Sequence, residues 1–312
     1  MPEVVYLTGG TGFFGRRIAE AVAKAGFEVI STAYPEVDLM NLESTEQSVK
    51  NVMPDIIIHS AAYYGGLGIT MAETGNLFYR NVQMLLNVLE AARKATVKRI
   101  MSIGSACAYP GDVKGDMSEY DYWSGQLHPS VEAYGFTKKI QQVGINAYHK
   151  QYNIKGQFPI ITNLYGEHDV FTEYRSHVAA ALIKRFADAA INGDKEVVNW
   201  GTGSAVREFL YVGDAAEGVA KLLKTDYDQP INIGTGIGTS IKELAELIAK
   251  YTGFKGEIVW DTTKPDGVPR KVLNVTKMKK VLNWQPAFSL EKGLEKTIKW
   301  YLANKERADS RQ

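Results

Sequence analysis

Thr8-Gly9-Gly10-Thr11-Gly12-Phe13-Phe14-Gly15 is the stretch whose reading decides the fold of this chain. It follows the apolar run Val4-Val5-Tyr6-Leu7, a buried strand. It opens an amphipathic segment, Arg16 to Gly26, with Ile18, Ala21, Val22 and Ala25 at helical spacing. Gly9 permits the tight turn off the strand. Gly12 lets the backbone approach a pyrophosphate with no Cβ in the way, and Gly15 lets helix and strand pack closely. The first helical turn then offers free N–H groups and a partial positive charge to phosphates. Strand, glycine turn and helix together predict a dinucleotide site, with Thr11, Phe13 and Phe14 lining the turn between the glycines.

Working outward, Phe27 to Thr32 reads as a second strand with Ser31-Thr32-Ala33 at its tip, followed by Asp38 and Leu39. An NAD site usually carries an acid at this tip, and a 2′-phosphate site an arginine; neither stands here, so the residues leave both cofactors open. Asp55-Ile56-Ile57-Ile58-His59 is a third strand, and the small Ala61 and Ala62 after it let the backbone lie against a dinucleotide. His59 reads as a packing residue, since no other ligand type sits at metal spacing. Leu77 to Lys94 is a long helix by period, and Lys98 to Ile103 a fourth strand. Alternating strands and helices predict an α/β fold with a doubly wound parallel sheet.

Ser105 and Cys107 follow the fourth strand, at the strand end where open α/β sheets bind ligands. A helix over 130–152 carries Tyr134-Gly135-Phe136-Thr137-Lys138, which puts Tyr134 and Lys138 one turn apart on one face. An ammonium beside a phenol favours phenolate, so this pair predicts a tyrosine pKa lowered from its usual ~10 and proton transfer at a carbonyl oxygen. Tyr251 and Tyr301 also precede a lysine by four positions, but away from any cofactor motif. Further on come strands over 157–162, 196–200 and 206–212 and helices over 176–190 and 215–223, with His177 in the first turn of 176–190. Ser240 and Glu243 match a capping box. Lys264 to Lys271 is a Pro/Gly-punctuated basic loop, and the tail after Asn304 reads as loose.

With 36 basic and 35 acidic side chains there is no global field to recruit nucleic acid or an anionic membrane. The single cysteine excludes an internal disulfide framework and points to a reducing, cytoplasmic setting. No apolar run approaches the ~18 residues needed to span a bilayer, and no leader pattern opens the chain. At 312 residues two domains are expected, at roughly 150 residues each.

Thr-Gly-x-x-Gly-x-x-Gly, Ser105 and the Tyr134…Lys138 pair resemble the extended short-chain dehydrogenase/reductase family, over nearly the whole chain. Within it, Gly104 to Pro110, Thr162 to Asp169, Ser176-His177-Val178 and Lys264 to Gly267 are similar to the members that epimerise and reduce GDP-4-keto-6-deoxysugars. The resemblance implies a Rossmann-like dinucleotide domain over 1–165, with 207–228 returning to it. It implies a smaller mixed α/β substrate domain for the nucleotide sugar over 166–206 and 229–312.

The same resemblance implies NADPH as cofactor, with Asp38, Leu39, Ala61, Ala62, Lys138, Asn163, Leu164 and His177 joining the glycine turn around it. Tyr134 would protonate the C4 oxygen, with Ser105 hydrogen-bonding that oxygen and Lys138 tuning the tyrosine and holding the ribose. Cys107 and His177 would be the base and acid that invert C3 and C5. Arg185 and Arg207 would clamp the diphosphate, with Lys264 or Arg270 and with Trp200 in the same pocket. A homodimer through helices 77–94 and 130–152 is implied as well. The chain departs from the pattern at Tyr63 and Tyr64, where the family commonly has Lys or Met and then Val, and at Thr11, where some bacterial members have arginine. The other reading is an NAD-retaining GDP-sugar 3,5-epimerase, whose Ala-Cys-x-Tyr-Pro loop is also similar but which carries lysine at the position of His177.

Overall fold

The computed structural model describes residues 1–172, 174–264 and 266–310. Pro265 of the basic loop lies outside the described residues. The glycine turn joins strand β1 (Val4–Thr8) to helix α1 (Phe13–Lys24), whose buried face includes Phe13, Ile18 and Val22. The helix starts directly on the turn, three residues before the apolar period suggests. β2 (Glu28–Thr32), α2 (Leu42–Val52), β3 (Ile56–His59), α3 (Leu67–Ala72), α4 (Thr74–Lys94) and β4 (Arg99–Ser102) follow. α2 has no counterpart in the apolar spacing because only Thr45 and Val49 of it are buried; its start is fixed by Asn41, which accepts from Ser44 N.

β5 (Gly104–Ser105) resumes β4 after a break at Ile103, and α5 (Glu132–Tyr152) carries the tyrosine–lysine pair. The single strand expected over 157–162 is two, β6 (Lys155–Gln157) and β7 (Pro159–Ile161), continued by β8 (Asn163–Tyr165). The reason lies at Gly104, where a Cβ would stand 2.8 Å from the ring of Phe158. The aromatic ring sits over the glycine, Pro159 has no N–H to give the ladder, and the pairing keeps its register from Met101 with Gln157 to Gly104 with Ile160.

The remaining elements are α6 (Val178–Asn192), β9 (Glu196–Trp200), β10 (Val206–Tyr211), α7 (Val212–Leu223), β11 (Ile231–Ile233), β12 (Gly238–Ser240) and α8 (Ile241–Thr252). β13 (Glu257–Asp261), β14 (Arg270–Lys271), α9 (Thr276–Leu282), α10 (Leu290–Ala303) and α11 (Lys305–Asp309) complete the chain. α6 begins one residue after His177, which is its N-cap and not part of its first turn. The tail expected to be loose is helical: Ala308 is buried, and Tyr301 Oη and Lys305 Nζ hold Asp309 at 2.8 and 2.7 Å. Ser240 and Glu243 form the expected capping box.

All strand pairs in the main sheet are parallel, in the order β2-β1-β3-β4-β6, and beyond the break β5-β7-β11 continues it. Ile231–Ile233, expected in the sugar unit, therefore edges the parallel sheet. Helices cover both faces, as a doubly wound sheet requires. One apolar core, around Tyr6, Ile57, Ile100, Leu85 and Val219, fills the sheet. A second, around Phe171, Phe186, Phe209, Ile248 and Tyr301, gathers α6, α8 and α10. Phe14 and Leu164 pack against both. No described helix is long and apolar enough to cross a membrane.

Candidate active site

The glycine turn leaves no room for side chains. A Cβ on Gly15 would stand 1.9 Å from Gly9 O, and one on Gly9, at φ +72°, 2.9 Å from Ala61 Cα. The turn is thus pressed against the loop that leaves β3, and one side-chain knot holds them together. Thr8 Oγ1 accepts from Ser60 N and Ala61 N, each at 3.2 Å, and bonds His59 Nδ1 at 3.0 Å. The Thr8 hydroxyl thus joins three groups of the β3 end, and the His59 ring bonds it through Nδ1. Burial, with Lys138 as the lesser cause, lowers His59 to about 3, in keeping with a neutral ring. His59 is a packing strut, as the sequence suggests.

N-cap Gly12 supplies no side chain to cap α1, so the first-turn N–H groups face the turn. Arg16 braces the loop through Thr11 O at 2.9 Å and Gly12 O at 3.3 Å. Asp38 Oδ1 accepts from Met40 N at 2.9 Å, and Leu39 O accepts from Asn87 Nδ2 at 2.8 Å, which ties this segment to α4. Asn163 Nδ2 donates to Glu208 O at 2.8 Å. A tight backbone cradle, an open helix N-terminus and a strand tip without a carboxylate fit a phosphorylated dinucleotide.

Across the cradle, Tyr134 is hydrogen-bonded to Ser105, whose Oγ also accepts from Cys107 N at 3.2 Å. Lys138 Nζ donates to Ile103 O at 2.8 Å and Gln141 Oε1 at 3.3 Å, and lies 5.4 Å from the Tyr134 ring centre. The expected lowering of the tyrosine is not found. Burial pushes the Tyr134 phenol well up, Cys107 and Tyr64 add to this, and only the Ser105 bond opposes it. Lys138, itself buried and pulled down to about 8, is not among the groups that move the phenol. Tyr134 therefore keeps its proton near neutral pH, which suits a proton donor.

Cys107 lies on the turn after β5, where a Cβ on Gly135 would stand 2.9 Å from its carbonyl oxygen. Lys138, Arg207 and Lys271 are all within electrostatic range of it. This partly exposed, electropositive setting is one that reactive cysteines occupy. The His177 ring stacks on Tyr64, centroids 5.7 Å apart and planes 14° apart, and burial holds it below the usual histidine range. Tyr64 in turn is in electrostatic range of Tyr134. Ser105, Cys107, Tyr134 and Lys138 thus gather at the strand ends, and His177 is linked to them through Tyr64.

The phosphate-clamp candidates separate. Arg207 is half-buried beside Cys107 and Asp266. Arg185 ties α6 to β9 through Asn199 Oδ1 at 3.0 Å and Val198 O at 3.3 Å. Arg270 is paired with Asp116 at 2.6 Å, Lys264 is exposed on a turn, and Trp200 is exposed at the end of β9. Lys271, to which the sequence reading gives no role, pairs in register with Arg207 across β14 and β10. Its signal was the basic pair Arg270-Lys271 closing the basic loop. Tyr251 and Tyr301 bond to Glu291 and Asp309, so the two decoy pairs are structural.

A parallel sheet with this glycine cradle and a Ser–Tyr–Lys group at its strand ends defines an enzyme of the extended short-chain dehydrogenase/reductase type. The profile of the NAD dependent epimerase/dehydratase family matches residues 5–234, and the chain belongs to that family. It is 36% identical over 303 residues to a putative GDP-L-fucose synthase 2 of Arabidopsis thaliana, spanning 96% of this chain and 92% of that one. It is 34% identical over 314 residues to the GDP-L-fucose synthase of Escherichia coli (strain K12), spanning 97% and 98%. A crystal structure of a GDP-L-fucose synthetase from Naegleria fowleri bound to NADP superposes with a TM-score of 0.89 at 28% identity, covering 99% of this chain and 95% of that one. The chain is a nucleotide-sugar epimerase/reductase.

Proposed function

We propose that this chain is an NADPH-dependent enzyme that inverts C3 and C5 of a GDP-4-keto-6-deoxysugar and then reduces its C4 ketone. The observation that supports the reading is the Ser105–Tyr134–Lys138 group with Cys107 in electrostatic range, and Tyr64, which also reaches Tyr134, stacked on His177. The near full-length relatives named GDP-L-fucose synthase support the same substrate class.

The protons on C3 and C5 are acidic because each flanks the ketone, whose oxygen takes up the charge of the enolate. Ser105 and Tyr134 would hold that oxygen. Cys107 would take one proton, and His177 would return one from the opposite face, giving inversion. To return a proton His177 gives it from the imidazolium form and is left as the neutral ring, while Cys107 takes its proton as the thiolate and is left as the thiol. Bound NADPH supplies the hydride for C4. Tyr134 then passes its proton to the C4 oxygen, and Lys138 holds the nicotinamide ribose. Arg207, with Lys271 beside it in register, would be the central member of the diphosphate clamp, while Arg185 and Arg270 are held by partners of their own. The NADP-bound relative from Naegleria fowleri supports NADPH as the cofactor.

In this reading 1–165 with 207–233 forms the cofactor unit and the rest the sugar unit. The protein works in the cytoplasm as a homodimer through α4 and α5. Phe78, Leu86, Phe136 and Val143, exposed on those helices, supply the apolar face such a dimer would bury.

Incubation with GDP-4-keto-6-deoxymannose should oxidise NADPH stoichiometrically. In D2O without NADPH, deuterium should enter C3 and C5, and Cys107→Ser should reduce that entry by roughly 10² or more, the scale of a lost acid–base group. No NADPH or NADH oxidation with any GDP-4-ketosugar would sink the proposal. Turnover on tightly held NAD, without added reductant, would favour the NAD-retaining epimerase.

Lys138 adds a pH dependence. Its amine is lowered to about 8, so it is charged below that pH and neutral above it. A step that needs the cation is fully supported at pH 7 and fades as pH rises through about 8. The pH profile of kcat/KM for NADPH, which reports the free enzyme, should bend downward there. A profile flat to pH 9.5 would remove Lys138 from cofactor handling.

A further inference from the structure

Tyr63 and Tyr64 stand in the loop that follows β3. Tyr64 leaves β3 two residues past Ala62 and lays its ring in an offset stack on His177. His177 uses its backbone carbonyl to start α6, accepting from Ala181 N at 2.9 Å, while its imidazole makes no capping bond. A histidine ring has a broad χ2 preference, so its plane is set by what it packs on. Here that surface is the phenol ring.

Both ends of the stack are tied together by other bonds. Gly66 N donates to Arg175 O at 2.9 Å, and a Cβ on Gly66 would come within 2.2 Å of Ser176 O. The hydroxyls of Tyr63 and Tyr174 both donate to Glu73, at 2.7 and 3.4 Å. The loop after β3 and the segment before α6 are therefore zipped, and the stack is the part of the zipper that faces the site.

We propose that Tyr64 is a positioning residue for His177, holding the imidazole in one plane at the edge of the ketosugar site, and that it serves inversion at C3 and C5 rather than reduction at C4. This rests on the role given to His177 above. Proton transfer needs donor and acceptor within about 2.6–3.2 Å and aligned, a demand that a freely turning ring meets only part of the time.

The test compares Tyr64→Phe, which keeps the ring, with Tyr64→Leu, which removes it while filling the space. Deuterium entry at C3 and C5 of GDP-4-keto-6-deoxymannose should stay within twofold for the Phe variant and fall tenfold or more for the Leu variant. NADPH affinity, and NADPH oxidation with the already inverted 4-ketosugar, should stay within about threefold in both. Unchanged deuterium entry in the Leu variant overturns the role of Tyr64, as does an equal loss of inversion and reduction, which would mean a damaged loop. No deuterium entry in the unsubstituted enzyme overturns the roles of Cys107 and His177, and this one with them.

Discussion

Tyr134→Phe is expected to slow NADPH-dependent reduction of the 4-ketosugar by roughly 10²–10⁴, the range for loss of a positioned general acid. The hydroxyl bonded to Ser105 is the group removed; the ring remains under Lys138. NADPH affinity should change by less than about twofold, because Lys138 keeps its bonds to Ile103 O and Gln141 Oε1. Stopped-flow oxidation of NADPH together with fluorescence titration of the cofactor separates the two. The direction of the Tyr134 shift sharpens the expectation. A phenol held well up by burial arrives at the reaction protonated, so its loss cannot be made good by raising the pH. A Phe variant that reduces the ketone at more than a tenth of the normal rate would take Tyr134 out of the chemistry.

Gly15→Ala is expected to cripple cofactor binding. Its Cβ would meet Gly9 O at 1.9 Å, Gly9 C at 2.7 Å and Gly10 Cα at 2.9 Å, all backbone of the turn that faces the pyrophosphate. No side chain can swing away to relieve this, so α1 and the turn must part. Overpacking of this kind costs about 1–3 kcal/mol, which corresponds to roughly 10–10² in the NADPH dissociation constant if the strain falls on the bound form. Gly75→Ala is the control: it also lies in the first turn of a helix, but its Cβ would meet nothing within 4 Å. Calorimetric titration with NADPH should show the loss in the first variant and an unchanged constant in the second. Equal affinities would mean that the turn does not hold the dinucleotide.

Much of the fold was legible because the elements that decide it are local. The apolar run before Thr8, the glycines and the amphipathic face of α1 lie within one stretch, and each acts on its neighbours through backbone sterics. The same holds for Tyr134 and Lys138, one helical turn apart. α2 was not legible, since it buries so little that its apolar spacing carries no period. The strand at 157–162 was misjudged because its break is caused by Phe158 settling over Gly104, a contact between different strands. The tail after Asn304 looked loose because its anchors, Tyr301 and Asp188, lie on α10 and α6.

From the order of residues alone came the dinucleotide turn and the parallel α/β alternation, since these follow from backbone geometry over a few positions; the candidate proton-moving side chains came from the family resemblance. The tertiary structure alone decided three things. Lys271 stands beside Arg207 because β14 and β10 run in register. The imidazole of His177 rests on Tyr64 because two loops far apart in the chain are zipped together. The phenol of Tyr134 is raised rather than lowered because desolvation depends on everything packed around a group, and here it outweighs the one opposing cause, the Ser105 hydrogen bond.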